Sequence, residues 1–444
     1  MVLSKRSYKE LSGKSCSCDE LVTLVAERMN RCAPFACFRL PGEGRTVHEI
    51  GLQNEARAVA TMTEELREWK KHLAGFLMAP FAVTIETPML WIEEEQGKQG
   101  ASVLQLAACD EAELESFPPV APIPQALPDS YRVTFARFMR LLHKGESLCC
   151  FRDSASVTYR GMLPSDLTLS ALRFILSAKS GQSCKQDCET VDFCNSRFME
   201  HLQEGMAEKL VLAHRVELPS IATAQVVGAF DKALTHYPNA FVSLCYTPQS
   251  GLWLCATPEM LLRGDGTDWQ TVALAGTMPR QADGESPVWS EKNRREHRYV
   301  QRFIGELLER EGIPFRALDV ETTTTGQLQH LQTRFALQLP EEYAPITLAE
   351  RLHPTPAVCG TPQRVAQRLI LEEESAARSY YAGFLGWYEP ERRVDLFVQI
   401  RCLQLLPEQA LRLYAGGGIV RGSSLESEWQ EVLHKLSAIH SLIR

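Results

Sequence analysis

The sequence has no apolar run approaching the eighteen or so residues of a membrane span, and its first thirteen residues, with Lys5, Arg6, Lys9 and Glu10, hold no apolar signal core. These two absences point to a cytoplasmic protein with no membrane partner. A basic excess is missing too: 47 Lys and Arg stand against 55 Asp and Glu, a formal charge of -8. Without a basic field, nucleic acid is not an expected partner, and an anionic substrate would have to be met by local cations. Neither an internal repeat nor a low-complexity tract interrupts the chain. What remains is 444 residues of ordinary globular composition, enough for two or three domains or one large α/β unit. The fourteen cysteines are scattered, many in apolar settings such as Cys245, Cys255 and Cys402, which reads as reduced core thiols. Their densest group, Cys184, Cys188 and Cys194, has spacings unlike the Cys-x-x-Cys knuckles of structural zinc sites.

Amphipathic helical patterns run over 21–29, 56–76, 133–143 and 167–177, with strand-like runs at 81–85 and 147–152. Five prolines within 118–128 remove donors and mark a loop or extended linker, the best internal boundary. The chain is read in two parts: 1–190, which flanks and holds that proline-rich loop, and 191–444, where the chemistry lies. A helical pattern through Phe198, Met199 and Leu202 precedes a strand at 208–215 whose alternation sets Lys209, Val211, Ala213 and Arg215 on one face. A lysine sharing a face with Val and Ala either snorkels to water from the strand end or is a desolvated base with a lowered pKa. A β-hairpin is expected over 241–256. Beyond it Thr257-Pro258-Glu259 interrupts two apolar runs, so Glu259 is either in an exposed turn or aimed inward. A strand over 272–277 ends at a glycine, and 291–312 is the clearest helix, with Glu296 one turn ahead of the apolar Val300, Phe303, Ile304, Leu307 and Leu308. That acid is either a first-turn residue favoured by the helix dipole or an inward-facing ligand. Two prolines are expected to hold 353–360 extended, a helix to span 362–374, and a strand over 396–402 to carry Arg401.

Near the C-terminus, Tyr-Ala-Gly-Gly-Gly-Ile-Val-Arg-Gly-Ser-Ser-Leu-Glu-Ser-Glu-Trp-Gln-Glu covers 414–431. Three glycines after an apolar run read as a cradle whose N–H groups approach an anion, or as a glycine-rich turn before a solvated helix. Ser423 and Glu426 have capping-box spacing. Glu428 and Glu431 lie three apart on one helical side and repel by roughly 0.2–0.5 kcal/mol, which a cation such as a hard divalent metal would offset.

In order along the chain, Lys-Leu-Val-Leu-Ala-His-Arg (209–215), Thr-Pro-Glu-Met-Leu (257–261), Leu-Ala-Gly-Thr (274–277), Arg-Glu-His (295–297), His-Leu-Gln-Thr (330–333), His-Pro-Thr-Pro-Ala (353–357), Gln-Ile-Arg (399–401), Gly-Gly-Gly-Ile-Val (416–420) and Glu-Trp-Gln-Glu (428–431) resemble the chorismate-utilising enzymes, most closely the menaquinone-type isochorismate synthases. The resemblance covers roughly 190–440. It implies an α+β fold of large antiparallel β-sheets packed between helices, completed by the N-terminal part. It further implies chorismate as substrate and Mg²⁺ held by Glu296 and Glu431 with Glu428 close by. Gly276 and Thr277 would line the ring, with Ala357 among the substrate-binding residues; His330 and Lys435 would sit near the metal-bound carboxylate. Tyr381 and Arg401, with the backbone of Gly416 and Gly418, would bind the second carboxylate, and Lys209 and Glu259 would be the general base and acid.

Within the family, members that use ammonia carry glutamine where this chain has Lys209, and aminodeoxychorismate synthases have a nucleophilic lysine where Ala275 stands. Salicylate synthases tend to have threonine at the place of Ala357. The resemblance therefore implies an isochorismate synthase without a glutaminase subunit, of menaquinone or siderophore biosynthesis. Val358, where some isochorismate synthases have leucine, weakens the exclusion of pyruvate elimination. The alternatives are a salicylate synthase, an ammonia-using anthranilate or aminodeoxychorismate synthase large subunit, and a non-catalytic chorismate-binding protein.

Overall fold

A computed structural model describes residues 14–51, 58–59, 74–93, 102–108, 117–142, 207–281, 287–326, 328–389, 393–406 and 410–444. Within them the chain forms two ten-stranded sheets. The first takes β1 (Lys14–Cys16), β2 (Phe35–Arg39), β3 (Thr46–Ile50), β7 (Ser102–Leu106), β8 (Lys209–Leu218), β9 (Phe241–Thr247), β10 (Gly251–Thr257), β16 (Gly360–Thr361), β19 (Cys402–Leu405) and β20 (Leu411–Val420). The second takes β4 (Ala58–Val59), β5 (Gly75–Ala79), β6 (Leu90–Glu93), β11 (Met260–Asp265), β12 (Asp268–Pro279), β13 (Phe315–Ala317), β14 (Glu321–Thr325), β15 (Leu328–Leu337), β17 (Phe384–Glu389) and β18 (Arg393–Val398). Pairing is antiparallel except between β1 and β7. N-terminal strands sit among C-terminal ones, β2 beside β9 and β5 beside β17, so both parts of the chain build both sheets.

The sheets face each other through aromatic side chains: Phe241 of β9 stacks on Phe397 of β18 at 4.4 Å, and Phe38 of β2 meets Phe76 of β5 at 5.4 Å. Burying each such ring contributes roughly 1.5–3 kcal/mol, which is what keeps the sheets apposed. The helices are α1 (Cys18–Asn30), α2 (Asp129–Leu142), α3 (Thr223–His236), α4 (Glu291–Arg310), α5 (Pro345–Leu352), α6 (Gln363–Glu373) and α7 (Leu425–His440). Of these, α3 and α7 lie on the first sheet, against β9 and β20, and α4 on the second, against β12. Val300, Ile304, Leu307 and Leu308 form the buried stripe of α4, at the helical spacing the sequence predicts.

One topological detail positions the chemistry. Neighbours β10 and β19 of the first sheet continue into neighbours β11 and β18 of the second. The two strands thus cross together, hydrogen-bonded through the corner: Val398 N–H donates to the Glu259 carbonyl at 2.8 Å and Ala256 N–H to the Arg401 carbonyl at 3.0 Å.

Several sequence expectations need correction. The three glycines are neither a turn nor a loop; they continue β20, where Gly416 pairs with Ala213 and Gly418 with Val211 of β8. The helix behind them is capped by Ser424, whose hydroxyl accepts from Ser427 N–H at 3.3 Å, and Ser423 instead accepts from Val420 N–H, so the capping-box reading was one residue early. Arg401 is not within a strand: with φ of +52° it is the left-handed residue at the corner between β18 and β19. Residues 353–360 are not extended throughout, because Thr355 accepts from both Val358 and Cys359 N–H and closes a turn. The run 81–85 is irregular, and the strand is β5 just before it, so the helical pattern across 56–76 fails at both described ends. The expected elements at 147–152, 167–177 and around 198–202, the boundary at 190 and the Cys184–Cys188–Cys194 group lie outside the described residues. Cys245, Cys255 and Cys402 are free and buried, as their apolar settings imply. The proline segment packs on α7, with Trp429 Nε1 donating to Gln125 and His440 Nε2 bonded to Ala121 at the backbone carbonyls.

Candidate active site

Lys209 opens β8 and is 1% exposed. Burial lowers its pKa, against the pull of Glu296 and Glu259. Two glycines make room for it. A side chain at Gly360, where φ is +146°, would run into the Lys209 carbonyl; one at Gly418 would come within 2.9 Å of both Lys209 Cε and Glu296 Oε2. The triple glycine therefore clears side-chain space instead of bending the chain. Glu259 is also buried, and burial pushes its carboxyl up to about 7 despite a hydrogen bond donated by Thr355 Oγ1 at 3.2 Å and the charge of Lys209. Lys209 and Glu259 thus act on each other through one field, with pKa values moved in the directions that a general base and a general acid would need.

The second part is cationic. Arg401 sits at the corner, and among the described residues it makes no ion pair; its hydrogen bond goes to His330 Nε2 at 3.4 Å. Burial lowers its pKa, with Tyr237, Tyr381, Glu431 and Glu259 opposing. A guanidinium with unused donors is what a carboxylate could pair with in a planar fork. His330 is held by Thr277 Oγ1 at 3.1 Å on its other nitrogen, and burial first, then Arg401 and Lys435, push its pKa to about 3, so it is neutral. Its partner strand is bulged at Ala275–Thr277, where Gly276 takes φ of +76° and packs against Asn293 of α4. Tyr381 stacks on Tyr414 at 5.4 Å and turns its hydroxyl to Gly416, where an added Cβ would lie 2.9 Å from it. Opposite β8, β20 is paired with β19 only as far as Tyr414, so beyond it some β20 amides face an edge with no strand among the described residues.

The third part is acidic. Glu296 from α4 and Glu428 and Glu431 from α7 approach one point, which is taken by the ammonium of Lys292: Nζ lies 3.3, 2.6 and 3.9 Å from their oxygens. Lys435 pairs with Glu431 at 2.7 Å and donates to the Gly416 carbonyl at 2.7 Å. Glu428 is fully buried, and burial raises its pKa against the pull of the Lys292 ammonium and hydrogen bonds from Lys292 and Ser423. As the side chains stand, no three His, Cys, Asp or Glu among the described residues form a ready metal ligand set. The donors themselves, three carboxylates brought from two helices to one point, fit a hard divalent cation such as Mg²⁺.

The expected residues therefore converge, apart from Ala357, which is half-buried in the 355–359 turn and adjoins the site through Thr355. Three participants were not singled out beforehand. Thr355 lay inside a quoted motif but its hydroxyl bond to Glu259 depends on the fold. Lys292 had a legible signal, four residues before Glu296 on a helix. Arg378, paired with Glu374 at 2.5 Å, donates to the Val211 and Val358 carbonyls while Glu374 accepts from Ala213 N–H, so two side chains complete the edge of β8 where β16 stops. A cleft of about 220 Å³ beside that edge shares only Tyr381 with the candidate set and is not the site.

Paired sheets crossed by such a corner, with an acid–base couple between a free guanidinium and a carboxylate cluster, define a class: residues 178–444 match the family of chorismate binding enzymes, and the chain belongs to it. Its relatives are isochorismate synthases. EntC of Escherichia coli strain K12 is 34% identical over 240 residues, covering 52% of this chain and 61% of the relative. MenF of the same strain is 30% identical over 256 residues, 55% of this chain and 57% of the relative. The chain thus spans about six-tenths of the length of the curated relatives it matches. Solved structures show the same fold over nearly the whole chain. A 2,3-dihydroxybenzoate-specific isochorismate synthase, DhbC of Bacillus anthracis, has a TM-score of 0.64 at 18% identity and covers 95% of this chain and 98% of its own. Anthranilate synthase component I of Streptococcus pneumoniae has a TM-score of 0.58 at 16% identity, over 92% of each chain. No helix among the described residues is long and apolar enough to cross a membrane.

Proposed function

We propose that the protein is an isochorismate synthase, converting chorismate reversibly to isochorismate, and that it works with Mg²⁺. The observation that carries this reading is the pairing of a buried lysine of lowered pKa with a buried glutamic acid titrating at about 7. Neutral Lys209 takes a proton from water as that water attacks C2 of the ring. Both ring double bonds shift by one position, and protonated Glu259 gives its proton to the hydroxyl leaving from C4. One water enters and one departs, and a proton passing from the lysine to the glutamate resets the pair. Such acid–base groups supply roughly 10²–10⁴-fold each. Arg401 and the Tyr381 hydroxyl hold the enolpyruvyl carboxylate at the open edge of β20, with backbone donors of Gly416 and Gly418. Gly276 and Thr277 border the ring; neutral His330 and Lys435 lie towards the other carboxylate. Glu296 and Glu431, with Glu428, would hold Mg²⁺, which when bound neutralises the ring carboxylate.

A lysine at 209 activates water and leaves no call for ammonia, so a glutaminase subunit is not part of this reading. The relatives' names include both a menaquinone-pathway protein, MenF, and Vibrio cholerae's vibriobactin-specific isochorismate synthase, and the Gly-Ile-Val-Arg-Gly-Ser run leans towards the former. The test is product analysis with chorismate and Mg²⁺, ammonium first omitted and then added. Isochorismate without ammonium is expected. Salicylate fluorescence without an added lyase makes the protein a salicylate synthase, and turnover that needs ammonium removes Lys209 from the role of base. Lys209→Ala should abolish turnover and leave chorismate binding intact.

A further inference from the structure

We infer that Lys292 is a resident counter-cation: its ammonium holds the carboxylates of Glu296, Glu428 and Glu431, and a divalent metal enters only as that ammonium withdraws. The inference rests on the metal reading above and adds an exchange to it. One nitrogen touches all three acids, at 3.3, 2.6 and 3.9 Å, from the first turns of α4 to the start of α7. These are ammonium distances. Mg²⁺ takes oxygens at roughly 2.0–2.1 Å in near-octahedral order, so the carboxylates must draw inward, and the space they draw into is the one Nζ fills. Two cations cannot share it, because at a few ångströms and low dielectric their repulsion exceeds what either gains. Lysine suits exchange: its stem is flexible, and the Lys292 side chain keeps 24% exposure, a way out to solvent, whereas Glu428 has none. The arrangement also answers how the site survives without metal. A fully buried Glu428 without a counter-charge would be costly beside two further acids, and Lys292 is the cation in contact with all three.

The experiment compares the whole wild-type chain with Lys292→Gln. Mn²⁺ affinity is read by electron paramagnetic resonance, without substrate or turnover. Removal of the competitor should tighten Mn²⁺ at least tenfold and lower the melting temperature in EDTA, with Mg²⁺ restoring it. Equal or weaker Mn²⁺ binding in the variant overturns the inference while leaving the metal site standing; absence of Mn²⁺ binding in both proteins overturns the metal reading and the inference with it. A second measurement needs no variant. Acylation of Lys292 in the wild-type protein, followed by mass spectrometry, should speed up at least threefold when Mg²⁺ is added, because the ammonium is expelled to water. Unchanged or slower labelling in metal-saturated protein contradicts the exchange.

Discussion

Replacing Glu259 by glutamine should abolish turnover and at the same time make the protein more stable in mild alkali. The carboxyl has its ordinary value of 4.5 in the unfolded chain and about 7 in the fold, where burial is the largest cause. A raised pKa contributes stability that is fully present below the unfolded value and is lost as pH climbs through the folded one. Between the two, the unfolded chain has released its proton and the folded chain has not, so rising pH favours unfolding. At 1.36 kcal/mol for each pH unit the loss reaches roughly 3 kcal/mol, and Glu259, 4% exposed, has little solvent to screen it. Glutamine keeps the shape and still offers an oxygen to the Thr355 hydroxyl, but has no proton to lose. Urea melts at pH 5 and pH 8 should show the variant gaining roughly 2–3 kcal/mol over wild type between the two conditions. A gap that does not change with pH, or a variant weaker than wild type at pH 8, would refute the buried-acid argument, and the proton donor would have to be sought elsewhere.

Thr355→Val removes the one side-chain hydrogen bond that favours the ionised form of Glu259, so the alkaline limb of kcat/KM should move up by about one pH unit, as expected for a hydrogen bond of roughly 1.5 kcal/mol to a charged group; a limb that stays put or falls contradicts the assignment. Arg401→Gln should raise KM roughly ten- to a hundredfold through loss of charge-assisted hydrogen bonds to substrate, and steady-state kinetics with an unchanged KM would remove Arg401 from the anion site. Gly418→Ala places a methyl 2.9 Å from Lys209 Cε and Glu296 Oε2. Both side chains must shift, and kcat should fall about a hundredfold in a folded protein; normal kcat with an unaltered circular dichroism spectrum would show that the glycine is not clearing catalytic space.

Much of this was legible in one dimension because the information was local. The strand at Lys209, the hairpin before Glu259 and the long helix of Glu296 follow from alternation and helical spacing, and the structure has them. Reading went wrong where the determinant was a neighbour distant in sequence. Three glycines look like a turn until β8 is seen beside them, with Lys209 and Glu296 filling the space left at Gly418 and the Tyr381 hydroxyl that at Gly416. Arg401 looks like a strand residue because the apolar run continues on both sides of it, and nothing local marks the passage between sheets. Thr355 could not be tied to Glu259, 96 residues earlier, by any pattern.

Charge explains why the parts must act together. By formal charge the carboxylates of Glu296, Glu428 and Glu431 are matched by the cations Lys292, Lys435 and Arg401 around them. A substrate with two carboxylates, as chorismate has, adds two negative charges, and a divalent cation taking the place of the Lys292 ammonium adds one net positive charge, so each offsets part of what the other leaves uncompensated. Neither should bind well alone in a place of low dielectric, since each would leave uncompensated charge buried. The expected consequence is reciprocal coupling: saturating Mg²⁺ should tighten chorismate, and chorismate should tighten Mg²⁺ by the same factor. Calorimetry on the inactive Glu259→Gln protein, which prevents turnover during the titration, measures both sides of that equality. Independent binding of the two would mean that the carboxylate cluster and the guanidinium serve separate ligands, and the charge argument that joins them would fall.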